Sequence, residues 1–369
     1  MTTNMSTNVL FTPFELGQLK LANRTVMAPM TRGFSPNGIP GDDIAEYYRK
    51  RTEGGVGLII TEGTLINHPA ATDNTGYPSF YGEEALAGWK KVVDTVHAAG
   101  GKIMPQIWHI GATRRPGTGP FPDAPSASPS GLVAKDKKVF EALTTEEVEG
   151  LVAAYAQAAF DAKQIGFDGV ELHGAHGYLI DQFFWADTNV RTDRYGGSLA
   201  ARSQFAIEIV KAVRERCGKD FPIVLRWSQW KLQNYEARLT NTPEELAEFL
   251  KPLSDAGVDI FHCSQRRFWE PEFEGSDMNL AGWTKKITGK PTISVGSVGL
   301  DQEFISSFRG EDAGVANIDN LIEKMNNNEF DLIAIGRALL ANPDWVNKVK
   351  DGHIDQLKPF TQEDKNQLL

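Results

Sequence analysis

Short, nearly continuous apolar runs alternate along this chain with longer stretches of helical period. The runs fall at 26–28, 58–61, 103–107, 169–172, 223–226, 260–262, 292–295 and 332–335. Each is too short for a helix, and its successive apolar positions suit a parallel strand buried on both faces. Helical stretches fill the gaps at 44–52, 84–98, 146–164, 198–216 and 243–255, with shorter ones around Ala281, Asn320 and Trp345. The third is the clearest. Thr144 and Glu147 have the spacing of a capping box, and Val148, Leu151, Val152, Tyr155, Ala158, Ala159 and Ala162 then recur on one helical face. Glycine-containing stops follow several helices, as in AAGG at 98–101 and AGVD at 256–259.

Eight strand–helix alternations predict an α/β fold, a closed (β/α)8 TIM barrel forming a single domain over 1–369. An open doubly wound sheet stays open as an alternative, because strand count alone does not prove closure. The segment FTPFELGQLKLANRT before the first strand reads as a hairpin capping the barrel bottom. Long loops follow strand three (111–140, rich in Pro, Gly and Ser) and strand six (264–283), where excursions serve as lids or pocket walls.

Composition narrows the function classes. The 369 residues carry 38 Lys and Arg against 48 Asp and Glu, a net charge of −10 without basic blocks, so no nucleic-acid partner is expected. No apolar run approaches the ~20 residues of a membrane span. The first 25 residues are polar and broken by Pro13, unlike a signal peptide. Two cysteines, Cys217 and Cys263, offer neither a disulfide framework nor metal spacing. A cytoplasmic enzyme of small molecules is the expectation, as a monomer or homodimer, with no metal.

The active site of such a barrel gathers at the C-terminal strand ends. In order these ends read Pro29-Met30-Thr31, Glu62-Gly63, Gln106 with Trp108, His173 with His176, Arg226, Gly296-Ser297 and Gly336-Arg337. The last two suit a phosphate held by backbone N–H groups and a guanidinium, and so a phosphorylated cofactor. GGVG at 54–57 leads into a strand rather than a helix, so it fails as a dinucleotide fingerprint. His68, His97, His109, His262 and His353 are scattered without obvious partners.

The blocks VMAPMTR, GLIITEG, MPQIWHIG, GVELHGAHGYLIDQFF with TNVRTDRYGGS, VLRWS, SVGS and AIGRALLANPDW, running in order from about Leu10 to Trp345, resemble the old yellow enzyme family of flavin-dependent ene-reductases. The resemblance implies FMN as cofactor, NADPH or NADH as reductant, and activated alkenes as substrates. It implies that His173 and His176 bind the substrate carbonyl or nitro oxygen and that Tyr178 protonates the α-carbon. A phenol with a pKa near ~10 stays protonated at neutral pH and can act as a general acid. By the same resemblance, Thr31, Gln106 and Arg226 are expected to frame the flavin. Gly296, Ser297, Gly336 and Arg337 hold its phosphate, and Pro29, Met30 and Gly63 line its ring. Tyr77 and Trp108 are candidate substrate walls.

Some features depart from parts of the family. No arginine follows Arg337, so a C-terminal arginine entering a neighbour's site is not expected. The tail offers only Phe360 as an aromatic, which shifts the expected pocket wall to the 264–283 segment and Trp269. Two rival readings are a metal-assisted hydrolase using the histidine pair with Glu62 or Asp181, and a flavoprotein that binds without turnover.

Overall fold

The computed structural model describes residues 6–369. Eight parallel strands close into one barrel: β1 (Thr25–Met27), β2 (Leu58–Leu65), β3 (Ile103–Trp108), β4 (Val170–His176), β5 (Ile223–Lys231), β6 (Ile260–Ser264), β7 (Thr292–Val295) and β8 (Leu332–Ile335). Each pairs with its sequence neighbours, and β8 closes on β1 through Ile333 opposite Thr25. The (β/α)8 expectation holds, and the open sheet is excluded. Five strands run beyond their apolar runs. On β4 this extension carries both His173 and His176, which the sequence placed after the strand.

Helices cover the outside because their apolar faces and the outward strand residues share one hydrophobic layer. The Thr145–Ile165 helix starts on the predicted capping box, with Glu147 N–H donating to Thr144 Oγ1 at 3.1 Å and Thr144 N–H to Glu147 Oε2 at 2.8 Å. The single helix expected over 198–216 is two, Leu199–Arg202 and Gln204–Cys217, broken at Ser203, whose hydroxyl donates to the carbonyl of Leu199.

The N-terminal hairpin, Phe14–Leu16 against Leu19–Leu21, closes the barrel floor. Phe14, Leu19 and Leu21 are buried in one cluster with the inward residues Val26, Leu58, Ile60, Met104, Val224, Ile260, Ile293 and Leu332. That plug excludes water from below, so ligands enter only from the opposite end. The loop after β3 folds on the buried Arg114, which donates to the carbonyls of Thr72, Thr118, Phe121 and Ala124. It contributes nothing to the central cavity, contrary to its expected role as a lid. Among the described residues no helix is long and apolar enough to cross a membrane.

Candidate active site

Strand alternation decides what fills the upper barrel. Side chains two residues apart share a face, so the inward positions continue upward from the apolar floor. Met104 is followed by Gln106 and Val224 by Arg226. Ile260 is followed by His262 and Ser264, and on β4 the inward pair is Glu171 and His173. Register sets Gln106 beside Glu171, and Arg226 between His173 and His262. The strands thus carry an apolar lower half and a polar upper half.

The polar half opens into a cavity of about 360 Å³, within the usual ~300–1,000 Å³ of small-ligand sites. Pro29, Met30, Thr31, Tyr77, Gln106, Trp108, His173, His176, Tyr178, Arg226, Gly296, Ser297, Gly336 and Arg337 all line it. Gly63 does not. A Cβ there would lie 2.5 Å from the Trp108 ring, so this glycine makes room for the indole that forms the wall.

Beneath the cavity runs a buried polar network. Gln106 Nε2 donates to Glu171 Oε1 at 2.9 Å, and His262 Nδ1 donates to Glu171 Oε2 at 2.6 Å. Burial holds the His262 imidazole below its usual range, with Glu171 opposing. These bonds leave the Gln106 carbonyl oxygen and its second N–H uncommitted. His262 is therefore not the partnerless histidine the sequence suggested. His97 likewise bonds Asp168 at 2.8 Å, and His109 Nε2 lies 3.0 Å from His68 Nδ1.

Arg226 is the key cation. It is 7% exposed, donates no hydrogen bond to any described residue, and its Nε is buried without a partner. Burial lowers its pKa, opposed by Glu171, yet a guanidinium stays charged. A buried cation aimed into a cavity without an acceptor calls for a ligand that supplies one. Arg337 repeats the pattern at the far end: it is 9% exposed, donates Nη2 to the Gln302 carbonyl at 2.5 Å, and leaves Nη1 buried and unpartnered. Beside it Gly296 (φ 142°) and Ser297 (φ 54°) adopt positive φ in succession. A Cβ on Gly296 would press within 2.6 Å of the Gln265 carbonyl. A cation, left-handed backbone and a missing side chain together fit a phosphate. A polar acceptor for Arg226 with donors and acceptors for Gln106 fits a flavin pyrimidine. The donor set fits FMN.

His173, His176 and Tyr178 form a tight aromatic group, with ring centres 5.3 Å (His173–His176) and 5.0 Å (His173–Tyr178) apart. Burial first, and then Arg226, hold both histidines well below their usual pKa, so both are neutral. His173 Nδ1 accepts from the Ala175 N–H at 3.3 Å, which leaves Nε2 as its donor. His176 sits at φ 66°, uncommon for a residue with a side chain, and its N–H donates to Ser228 Oγ at 2.9 Å. Burial raises Tyr178 above its usual pKa, and its hydroxyl makes no hydrogen bond to another described residue.

Sequence reasoning missed three features. Ser264 lies 2.8 Å from His176 Nε2, and Trp230 stacks on the His176 ring with centres 4.5 Å apart. Trp230 and Phe304, 6.2 Å apart, supply the aromatic wall sought in the tail and after β6. Trp269 packs against Phe268 and the outer core instead, and Phe360 is fully buried under Arg337, away from the wall. The acids needed by a hydrolase are also committed elsewhere. Asp181 pairs with Lys231 at 2.7 Å, and Glu62 accepts the N–H groups of Arg32 and Gly33.

Comparison with known proteins agrees with this geometry. The profile of the NADH:flavin oxidoreductase / NADH oxidase family matches residues 9–356. An NADH oxidase of Thermoanaerobacter brockii is 34% identical over 360 residues, covering 95% of this chain, which spans only 52% of that relative. The 12-oxophytodienoate reductase 7 of Oryza sativa subsp. japonica is 33% identical, covering 92% of this chain and 87% of its own length. Among solved structures, morphinone reductase superposes with a TM-score of 0.77 at 31% identity, covering 95% and 91% of the two chains. Its complex with tetrahydroNAD gives a TM-score of 0.80 at 29% identity, covering 98% and 97%.

Proposed function

Since the chain belongs to the NADH:flavin oxidoreductase family of old yellow enzymes and is an FMN-dependent oxidoreductase, we propose that it is an ene-reductase, reducing the C=C bond of α,β-unsaturated carbonyl or nitro compounds. The observation that carries this reading is the neutral His173–His176 pair facing Tyr178 over one cavity. Neutral imidazoles donate hydrogen bonds without repelling a reductant, and the Nε2 donor of His173 is free. Both histidines hold the substrate oxygen and draw electrons from the double bond, as oxyanion donors do. FMN held in this cavity would supply the hydride chemistry, from NADH or NADPH to the β-carbon.

Tyr178 supplies the proton to the α-carbon, and solvent restores it. Hydride and proton together saturate one C=C bond for each nicotinamide oxidised. A phenol raised by burial keeps its proton until the developing carbanion takes it. Arg226 and Gln106 hold the pyrimidine edge, and Arg226 favours the negative charge of reduced flavin. Thr31, on the same cavity wall, would help hold the flavin. Gly296, Ser297, Gly336 and Arg337 hold the phosphate. Nicotinamide and alkene take turns over the same face, with Tyr77, Trp108 and Trp230 as walls. The two cysteines are buried free thiols, which supports a reducing, cytoplasmic setting.

The test is Tyr178→Phe in separate half-reactions. Flavin reduction by NADPH keeps its wild-type rate, while reoxidation by 2-cyclohexenone slows by about 10²-fold or more, the usual worth of a positioned acid. Equal loss in both halves would overturn the proton-donor role.

A further inference from the structure

Resting on the reading that the FMN phosphate lies at the ends of β7 and β8, we propose that the C-terminal segment 361–367 completes that phosphate site, with Lys365 as a second cation beside Arg337. The family profile stops at residue 356, so this segment is no part of the matched region. It is nevertheless tied down from both sides of the cavity.

On one side Phe360 is buried and pairs with Ala313, each N–H donating to the other's carbonyl at 2.9 Å. Gln362 follows, its backbone N–H donating to Asp312 Oδ1 at 2.9 Å and its Nε2 to the Glu311 carbonyl at 2.5 Å. Thr361 then caps the turn, its N–H donating to Asp364 Oδ2 at 2.7 Å. On the other side stands Arg32, the residue after Thr31. Its Nη2 donates to the carbonyls of Asp364 (3.1 Å), Lys365 (3.2 Å) and Gln367 (2.8 Å). Arg32 is 8% exposed and lies over the Tyr47 ring. Its backbone N–H is fixed in turn by Glu62. One residue of the β1 loop thus faces the flavin while the next holds the tail.

This strap puts Lys365 on the wall of the same cavity as Gly296, Ser297, Gly336 and Arg337. Its Nζ reaches the Ser307 carbonyl at 3.3 Å and pairs with no carboxylate among the described residues. Arg337 has no carboxylate partner either, and its Nη1 is buried without an acceptor. The two neighbouring cations repel each other, Glu303 and Asp301 act on Arg337 without an ion pair, and an anion between the cations would offset the repulsion. A dianionic phosphate monoester supplies it, with Arg337 as a planar fork and Lys365 as a movable point charge. The tail then contributes, with Arg337, to the choice of FMN over riboflavin, which differ only in the phosphate.

The experiment strips the full chain of flavin and titrates it with FMN and with riboflavin, reading fluorescence quenching. Lys365→Met should weaken FMN binding by about tenfold to a hundredfold, the worth of one charge-assisted bond, with riboflavin binding unchanged. Lys365→Arg should keep the preference. Equal weakening of both ligands, or no change in either, overturns the role of Lys365. Arg337→Met separates the premise: if it removes the FMN preference while Lys365→Met does nothing, the phosphate placement stands and the proposal falls. If neither variant alters the preference, the placement itself fails and takes the proposal with it.

Discussion

Lys231 Nζ lies 2.7 Å from Asp181 Oδ1, and both side chains are wholly buried. Asp181 also accepts the Gly177 N–H at 2.8 Å through Oδ2, and Lys231 donates to the Ser228 carbonyl at 2.9 Å. The pair therefore fastens the residue between His176 and Tyr178 to the top of β5. Lys231→Met leaves a buried carboxylate unpaired and should cost about 3–5 kcal/mol in urea denaturation. Adding Asp181→Asn removes that stranded charge, so the double variant should be the more stable of the two. A single variant as stable as wild type would contradict the clamp.

Glu62 gives the protein a pH-dependent stability. Its carboxyl is pushed up to about 7 by burial, although the N–H groups of Arg32 and Gly33 pull the other way. The folded state then binds a proton more tightly than the unfolded one. Stability is highest below the unfolded carboxyl's ordinary pKa of about 4.3, falls as pH rises to about 7, and levels off beyond. The full swing is on the order of 3 kcal/mol. Glu62→Gln keeps an acceptor for the two N–H groups and removes the titration. Urea midpoints at pH 5 and pH 8 should diverge in wild type and lie closer together in the variant. Matching slopes would rule out this group as their source.

Glu171 opposes the charge of Arg226 beneath the cavity proposed to hold the flavin, while fixing the Gln106 amide. Glu171→Gln removes that negative charge, so reduced flavin, which carries one, becomes easier to form. The midpoint potential should rise, by about 30 mV for each ~1.4 kcal/mol of lost repulsion in a two-electron couple. A dye-coupled titration reads it directly. An unchanged or lower potential would mean that Glu171 acts only by holding Gln106.

Much of this is legible in the sequence. The barrel followed from eight buried strands whose apolar runs need no distant information, and the hairpin plug from the segment FTPFELGQLKLANRT ahead of the first of them. Most motif residues at strand ends, Gly63 excepted, reached one cavity because a closed parallel barrel brings all its C-terminal ends together. What stayed hidden depended on contacts across the barrel. Ser264 meets His176 across 88 positions of sequence, and Asp181 meets Lys231 across 50. Trp230 lay beyond the apolar run at 223–226, and only the extension of β5 to Lys231 brings it to the site. Trp269 failed as a pocket wall for the converse reason, and Phe360 does not serve as one either. An aromatic near a site is read as a wall, yet the first serves the outer core and the second backs Arg337.

The central claim, hydride passing from nicotinamide through FMN to an activated alkene, is tested most directly by an anaerobic absorption spectrum. Purified wild-type protein should show flavin bands that bleach with NADPH and return when 2-cyclohexenone is added. Bands that bleach and stay bleached would contradict the ene-reductase reading while leaving the flavin family intact.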